Sequence, residues 1–280
     1  MIAVNFDYVK PTSLEEALAL LADGSAKPLA GGMSLIPMMK LRLAIPEKLV
    51  DLSACGLTGV SEGDGWLKVG AMTTHHDVES SSVLRAKCPL LAETAANIGD
   101  VQVRNRGTIG GSAAHADPSA DYPASLLALE AQLIIAGSGG GTRKVSIDEF
   151  LVDALTVALE PGELITQIHV PCEEAGTGVC YHKVVQPASG YAVVGIAVRV
   201  RKDASGKVTF ARVGVTGLAS KAFRALGVEA ALLNGASAVD AAAVVGEGVD
   251  ANADIHASAS YRTHLARVHT ARAIAKALTR

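Results

Sequence analysis

Apolar positions at Leu14, Ala17, Leu18 and Leu21 fall three and four residues apart, the spacing of one helix face. Ser13 stands ahead of them as a cap, Glu16 predicts a capping box, and Gly24 marks the stop. Short extended runs are expected at 27–30, 48–52 and 66–71, and a helical turn at 34–41. Thr73 or Thr74 is placed to cap a helix running through Val78. A further helix at 89–98 opens on Pro89 and stops at Gly99. Residues 121–131 read as helix, 132–136 as strand and 143–147 as its return. The Gly-Ser-Gly-Gly-Gly-Thr run between those strands fails the last glycine of the dinucleotide fingerprint, and no helix follows it. It is therefore expected to be a hairpin tip.

The pattern changes near 171–178, where Glu173 and Glu174 sit between Pro171 and Gly176. Three alternating strands follow at 179–186, 191–201 and 207–218, the last two joined by a turn at 202–206. Three alanine-rich helical segments then occupy 222–233, 238–249 and 258–279. This tail holds no cluster of acids, histidines or glycines, so a packing or docking role suits it.

Composition narrows the options. A chain of 280 residues suits two domains, here 1–175 (lobes about 1–55 and 56–175) and 176–280. A net charge of −3 gives no footprint for nucleic acid or an anionic membrane. No apolar stretch approaches the roughly 20 residues that a membrane span needs. The first residues lack a basic segment followed by an apolar core, so no signal peptide is expected and a cytoplasmic location follows by default. Cys55, Cys88, Cys172 and Cys180 form no Cys-x-x-Cys pair, which points to buried thiols and to neither zinc nor a cysteine-ligated cluster. His75-His76-Asp77 is a poor metal site, because adjacent residues at a helix start point apart.

Two small-residue loops carry the chemistry. The first is Leu29-Ala30-Gly31-Gly32-Met33-Ser34-Leu35; the second is Thr108-Ile109-Gly110-Gly111-Ser112, with Arg104 and Arg106 before it and Asp117 and Asp121 after. Glycine lets a phosphate approach the main chain, whose N–H groups can then donate to it. Two such loops could grip one diphosphate from two sides, with Gly110 left bare on the phosphate's approach path.

With these residues in view, the chain resembles the FAD-binding medium subunit of the molybdenum hydroxylases, most closely the aerobic carbon monoxide dehydrogenase type. The likeness rests on Phe6-x-Tyr8-x-x-Pro11-x-Ser13-Leu14, Ala30-Gly31-Gly32-x-Ser34-Leu35-x-Pro37-x-Met39, Arg104-Asn105-x-Gly107-Thr108-Ile109-Gly110-Gly111-Ser112, His115-Ala116-Asp117-Pro118-x-x-Asp121 and Tyr181-x-Lys183. It implies an α+β fold: a two-lobed FAD-binding domain of the vanillyl-alcohol oxidase (PCMH) type, then a three-stranded antiparallel sheet with a three-helix bundle. It also implies non-covalent FAD, with both glycine loops around the pyrophosphate. His115 and Asp121 would lie beside the ribityl and adenosine portions. Leu164 and Lys183 would approach the isoalloxazine ring, and Tyr191 would screen one ring face. The run 35–53 is compact and cysteine-free, unlike relatives with an inserted iron–sulfur site.

The residues themselves leave alternatives open. Asp121 could cap the helix that follows it, Lys183 could be a solvated strand charge, and Tyr191 could be core. Arg104 and Arg106 could be surface charges or could meet a diphosphate or another subunit. The resemblance implies an electron relay with no catalytic residue of its own. A molybdenum-cofactor large subunit and a small subunit with two [2Fe–2S] clusters would complete it, as a dimer of heterotrimers. A quinone, a dye or another external acceptor would take the electrons. A self-contained flavin reductase like the enolpyruvyl sugar reductases, or a scaffold that has lost its flavin, is the competing reading.

Overall fold

The computed structural model describes residues 2–280. Near the N-terminus, strands Asp7–Val9, Lys48–Asp51 and Ala26–Leu29 form a parallel three-stranded sheet in that spatial order. Helix Leu14–Leu21 lies on it, burying Ala17, Leu18 and Leu21 beside Val50 and Leu52. Ser13 caps the helix as expected, accepting from the Glu16 N–H. The predicted capping box is displaced by one residue: Glu16 accepts from the Thr12 N–H at 2.9 Å, not from that of Ser13.

The second sheet has five antiparallel strands, in the order Val60–Gly63, Trp66–Gly70, Leu164–Pro171, Gln132–Ala136 and Thr142–Ser146. The hairpin formed by the last two agrees with the reading of residues 137–142 as a turn. The central strand, Leu164–Pro171, comes last in sequence and inserts between two earlier pairs. Its ladder is interrupted at Thr166, a bulge whose carbonyl accepts from the Ala71 N–H.

The C-terminal sheet pairs Thr177–Val185, Ala192–Lys202 and Val208–Thr216 antiparallel, and a short strand, Phe223–Arg224, adds a fourth member to the predicted three. Helices Leu226–Leu233, Ala238–Ala243 and Ala259–Ala277 follow; the middle one ends six residues before the predicted bound. One face of this sheet packs on the terminal helices through Val194, Ile196, Val213 and Ile274. The other contributes Val179, Tyr181 and Ala197 to a core shared with Leu133 and Ile168 of the five-stranded sheet. Helix Asp121–Ala128 packs on the C-terminal sheet, with all eight residues buried. The C-terminal unit therefore completes the core of the preceding one and forms part of its walls. Among the cysteines, Cys55, Cys88 and Cys180 are buried as expected, whereas Cys172 is half-exposed.

Candidate functional site

Strand Ala26–Leu29 runs straight into the first glycine loop, and helix Leu35–Lys40 leaves it. Gly31 meets the main chain of Arg106 and Gly107 so closely that a Cβ would sit 2.7 Å from Gly107 Cα, so only glycine fits. Gly32 has φ +77°, the left-handed region that disfavours a side chain. Among the described residues, no main-chain acceptor meets the N–H groups of Gly31, Gly32, Met33 or Ser34. This bend thus holds a run of free donors next to a close approach, a cradle suited to an anion.

The second motif differs from its expected form. Residues 109–115 are a helix, Ile109–His115, capped by Thr108, whose Oγ1 accepts from the Gly111 N–H at 3.1 Å. Ile109 N–H donates to Thr73, Gly110 N–H to Ala71 and Ser112 N–H to Thr108, so these amides are already engaged. Gly110 is bare because a Cβ there would lie 2.7 Å from the Ala71 carbonyl oxygen, and not because a phosphate needs the space. The motif supplies a close-packed wall and hydroxyls, while the first loop supplies the free main-chain donors. Thr108→Ala should lower folding stability by about 1 kcal/mol, the usual worth of such a cap, in a urea titration. An unchanged midpoint would show that the cap is dispensable.

A cavity of about 860 Å³ opens between these motifs, within the size range of ligand pockets. Of the residues singled out from sequence, Ala30 to Leu35, Thr108, Gly110, Gly111, Ser112, His115, Asp121, Leu164 and Tyr191 line it. Leu29, Ile109 and Lys183 do not. Leu29 stands at the strand end behind Gly32, and Ile109 is fully buried beneath the wall. Lys183 sits inside that wall: its side chain is 1% exposed, with Nζ 2.9 Å from Asp121 and 2.8 Å from the Asn97 carbonyl oxygen.

Asp121 caps nothing. It is the first residue of its helix, and its carboxylate accepts from Tyr181 Oη at 2.5 Å and from Lys183. Burial pushes its carboxyl above the usual range, and Lys183 and Tyr181 oppose that rise. Arg104 pairs with Glu79 at 3.0 Å and donates to the carbonyls of Ile98 and Gly99; neither it nor Arg106 lines the cavity.

Tyr191 stands at the turn between two strands of the C-terminal sheet, shared by the mouth of this cavity and its neighbour. Burial and Asp117 raise its phenol pKa, and the Ser34 hydroxyl of the first loop opposes that rise.

Two parts of the wall escaped the sequence reading. His75, dismissed as a metal ligand, is a buried lining residue whose main-chain N–H donates to Gly107; burial and Arg104 hold its pKa down at about 4. Residues 155–165 form another side, tied in where Leu155 N–H donates to Ala116. The Pro161-Gly162 pair was a turn signal there.

Comparison with known proteins fits this geometry. Residues 4–173 match the family model described as the FAD binding domain in molybdopterin dehydrogenase, and 179–277 match the CO dehydrogenase flavoprotein C-terminal domain. The chain belongs to this family of FAD-binding subunits. It is 40% identical over 290 residues to the carbon monoxide dehydrogenase medium chain of Hydrogenophaga pseudoflava, covering 100% of this chain and 99% of that one. It is also 40% identical over 283 residues to the 6-hydroxypseudooxynicotine dehydrogenase complex subunit alpha of Paenarthrobacter nicotinovorans, covering 99% and 95%. Among solved structures, reconstituted CO dehydrogenase from Oligotropha carboxidovorans aligns with TM-score 0.95 at 39% identity, over 100% of both chains. The chain is therefore an oxidoreductase subunit of the carbon monoxide/xanthine dehydrogenase family, with FAD as its cofactor. The free amides of 31–34, the close wall at Gly111 and the cavity's size all suit that dinucleotide.

Proposed function

We propose that this chain is the electron-transfer subunit of a molybdenum hydroxylase complex, receiving electrons from a [2Fe–2S] subunit and passing them to an external acceptor. The observation that carries this reading is the run of unengaged main-chain donors at Gly31 to Ser34 on the wall of a dinucleotide-sized cavity. When bound, FAD accepts one or two electrons, which lets single-electron carriers meet a two-electron acceptor. The chain's own residues do the holding. Gly31 to Ser34 receive the diphosphate, Thr108 to Ser112 back it, and Asp121 and His115 face the sugar portions. Leu164 and Tyr191 border the ring, and Lys183 acts through Asp121. No group here needs to act as a general base.

The partners in this reading are a molybdenum-cofactor large subunit and a two-cluster small subunit, assembled as a dimer of heterotrimers. Residues 1–175 form the FAD domain and 176–280 the domain that closes it. Among the described residues no helix is long and apolar enough to cross a membrane, and we place the complex in the cytoplasm. Two relatives of equal identity bear names with unrelated substrates, carbon monoxide and a hydroxylated nicotine derivative. Substrate choice accordingly belongs to the large subunit.

Purification of the complex tests the whole reading. The chain should carry about one FAD, seen as bands near roughly 370 and 450 nm, and the flavin should bleach when substrate reduces the partner's clusters. A colourless chain that refuses added FAD would sink it. FAD reduction by a nicotinamide with no partner present would favour a self-contained reductase instead.

A further inference from the structure

The four thiols fall in different hydrophobic clusters of the described residues. Cys55 belongs to the N-terminal one and Cys180 to that of the C-terminal sheet and its helices. Cys88 and Cys172 share the central one: Cys88 is fully buried within it, and the half-exposed Cys172 packs against it. Cys88 is the single residue between helices Ser82–Lys87 and Pro89–Ala96, out of the helical region at φ −148° and ψ 61°. Cys172 extends the central strand Leu164–Pro171 by one residue. Its N–H donates to the Gly65 carbonyl, and the next N–H, that of Glu173, donates to the Lys87 carbonyl at 2.7 Å.

That last bond fixes which residues face each other. In an antiparallel pair, an N–H of residue 173 given to the carbonyl of residue 87 sets residues 88 and 172 directly opposite, in the narrow, non-hydrogen-bonded position. The matching bond would come from the N–H of residue 89, and Pro89 has none to give. Cα atoms in such narrow pairs stand about 4.5 Å apart, inside the roughly 4.4–6.8 Å that a disulfide spans. The charges agree with this placement, since Glu173 acts on both thiols and Cys172 acts on Cys88. Cys172 offers the way in from solvent: its Sγ lies 3.9 Å from Glu62 Oε1, and Lys87 donates to the same carboxylate.

We propose that Cys88 and Cys172 form a reversible disulfide when the chain meets hydrogen peroxide. Cys172 attacks the peroxide: an S–O bond forms, the O–O bond breaks, and one water leaves with the thiol's proton. Cys88 then attacks the sulfenic sulfur: an S–S bond forms, the S–O bond breaks, and a second water leaves with the second proton. Two thiols lose two electrons, and one peroxide becomes two waters. Burial holds both thiols above their ordinary range, Cys88 up to about 12; Glu62 and Glu173 add to this, while Lys87 and Arg199 oppose it. Formation is accordingly slow and answers sustained peroxide, not a brief pulse. The link ties the helix junction at Cys88 to the point where the FAD domain gives way to the C-terminal unit, beside the buried Glu173–Arg199 pair. It depends on neither the flavin nor the partner subunits.

The full chain is incubated with hydrogen peroxide, alkylated, and cleaved with trypsin and a glutamate-specific protease. Cleavage at Glu173 or Glu174 separates Cys172 from Cys180. A linked pair of peptides carrying Cys88 and Cys172 is expected from most chains, absent before oxidation and lost on adding dithiothreitol. The oxidised chain should unfold at a higher urea midpoint than the same sample after dithiothreitol, because the link restrains the unfolded state. Cys172→Ser, at a half-exposed position, should fold, form no link and show no such difference in midpoint. Linkage to Cys55 or Cys180, a bond between two copies, or a Cys172 sulfinate with Cys88 still free would overturn the proposal. So would an oxidised midpoint no higher than the reduced one, or a gain that persists in Cys172→Ser.

Discussion

Gly31→Val should strip the chain of its flavin. The new side chain has nowhere to go, because a Cβ at Gly31 already lies 2.7 Å from Gly107 Cα and against the Arg106 carbonyl oxygen. Both are main-chain atoms, so no rotamer change relieves the contact. The loop must lift away from the segment leading into Thr108, and the free donors of 31–34 leave the second motif's wall. FAD content is expected to fall from about one per chain to less than about a tenth, and a tenfold loss corresponds to about 1.4 kcal/mol. Forced overpacking should also cost 1–3 kcal/mol or so of folding stability. Gly139→Val is the control: at the hairpin tip a Cβ meets nothing within 4 Å, so flavin and stability should both survive. Full FAD content in Gly31→Val would mean that the two motifs need not touch. Gly110→Val, by contrast, should fail at folding, since its Cβ collides with Ala71 under the wall.

Much of the site was legible because its chemistry is local. Gly-Gly beside serine announces a bend with bare amides, and the first loop is that. The second motif reads the same in sequence but folds as a helix start, because the threonine ahead of its glycines caps it and Ala71 and Thr73 take its amides. That outcome depends on a strand some 40 residues upstream, which no window around Gly110 contains. Lys183 shows the same limit. A lysine in a strand reads as a solvated charge, yet the pairing of Tyr181 and Lys183 with Asp121 comes from packing the C-terminal sheet on helix Asp121–Ala128.

The fold divided along similar lines. Capped helices and hairpins were readable, since Ser13, Thr74 and the 137–142 tip act on neighbours. Strand Leu164–Pro171, the centre of the five-stranded sheet, was not anticipated. Its partners lie about 30 and 100 residues away, and Leu164, Ile165 and Thr166 are buried in succession, which hides the alternation of a strand. Helix Asp121–Ala128 was anticipated, but its full burial left no amphipathic stripe to reveal which face meets the C-terminal sheet.

That buried helix sets up the second large effect. Lys183→Met should destabilise the chain by about 3–5 kcal/mol near neutral pH, because it leaves the Asp121 carboxylate buried without its cation. The loss should depend on pH in a definite direction. Burial already raises the Asp121 pKa in the native chain, with Lys183 opposing; without the lysine it rises further. A carboxyl whose folded pKa exceeds its unfolded value is accommodated at low pH, where both forms are protonated. Stability then falls by about 1.4 kcal/mol per pH unit between the unfolded and folded values. Urea midpoints of Lys183→Met should therefore approach the wild type's near pH 4 and fall well below them at pH 8. Asp121→Asn combined with Lys183→Met removes the stranded charge and should recover most of the loss at pH 8, while Tyr181 keeps an oxygen to donate to. An equal deficit at both pH values, or no recovery in the double variant, would mean that Lys183 contributes packing alone and that Asp121 needs no counter-charge.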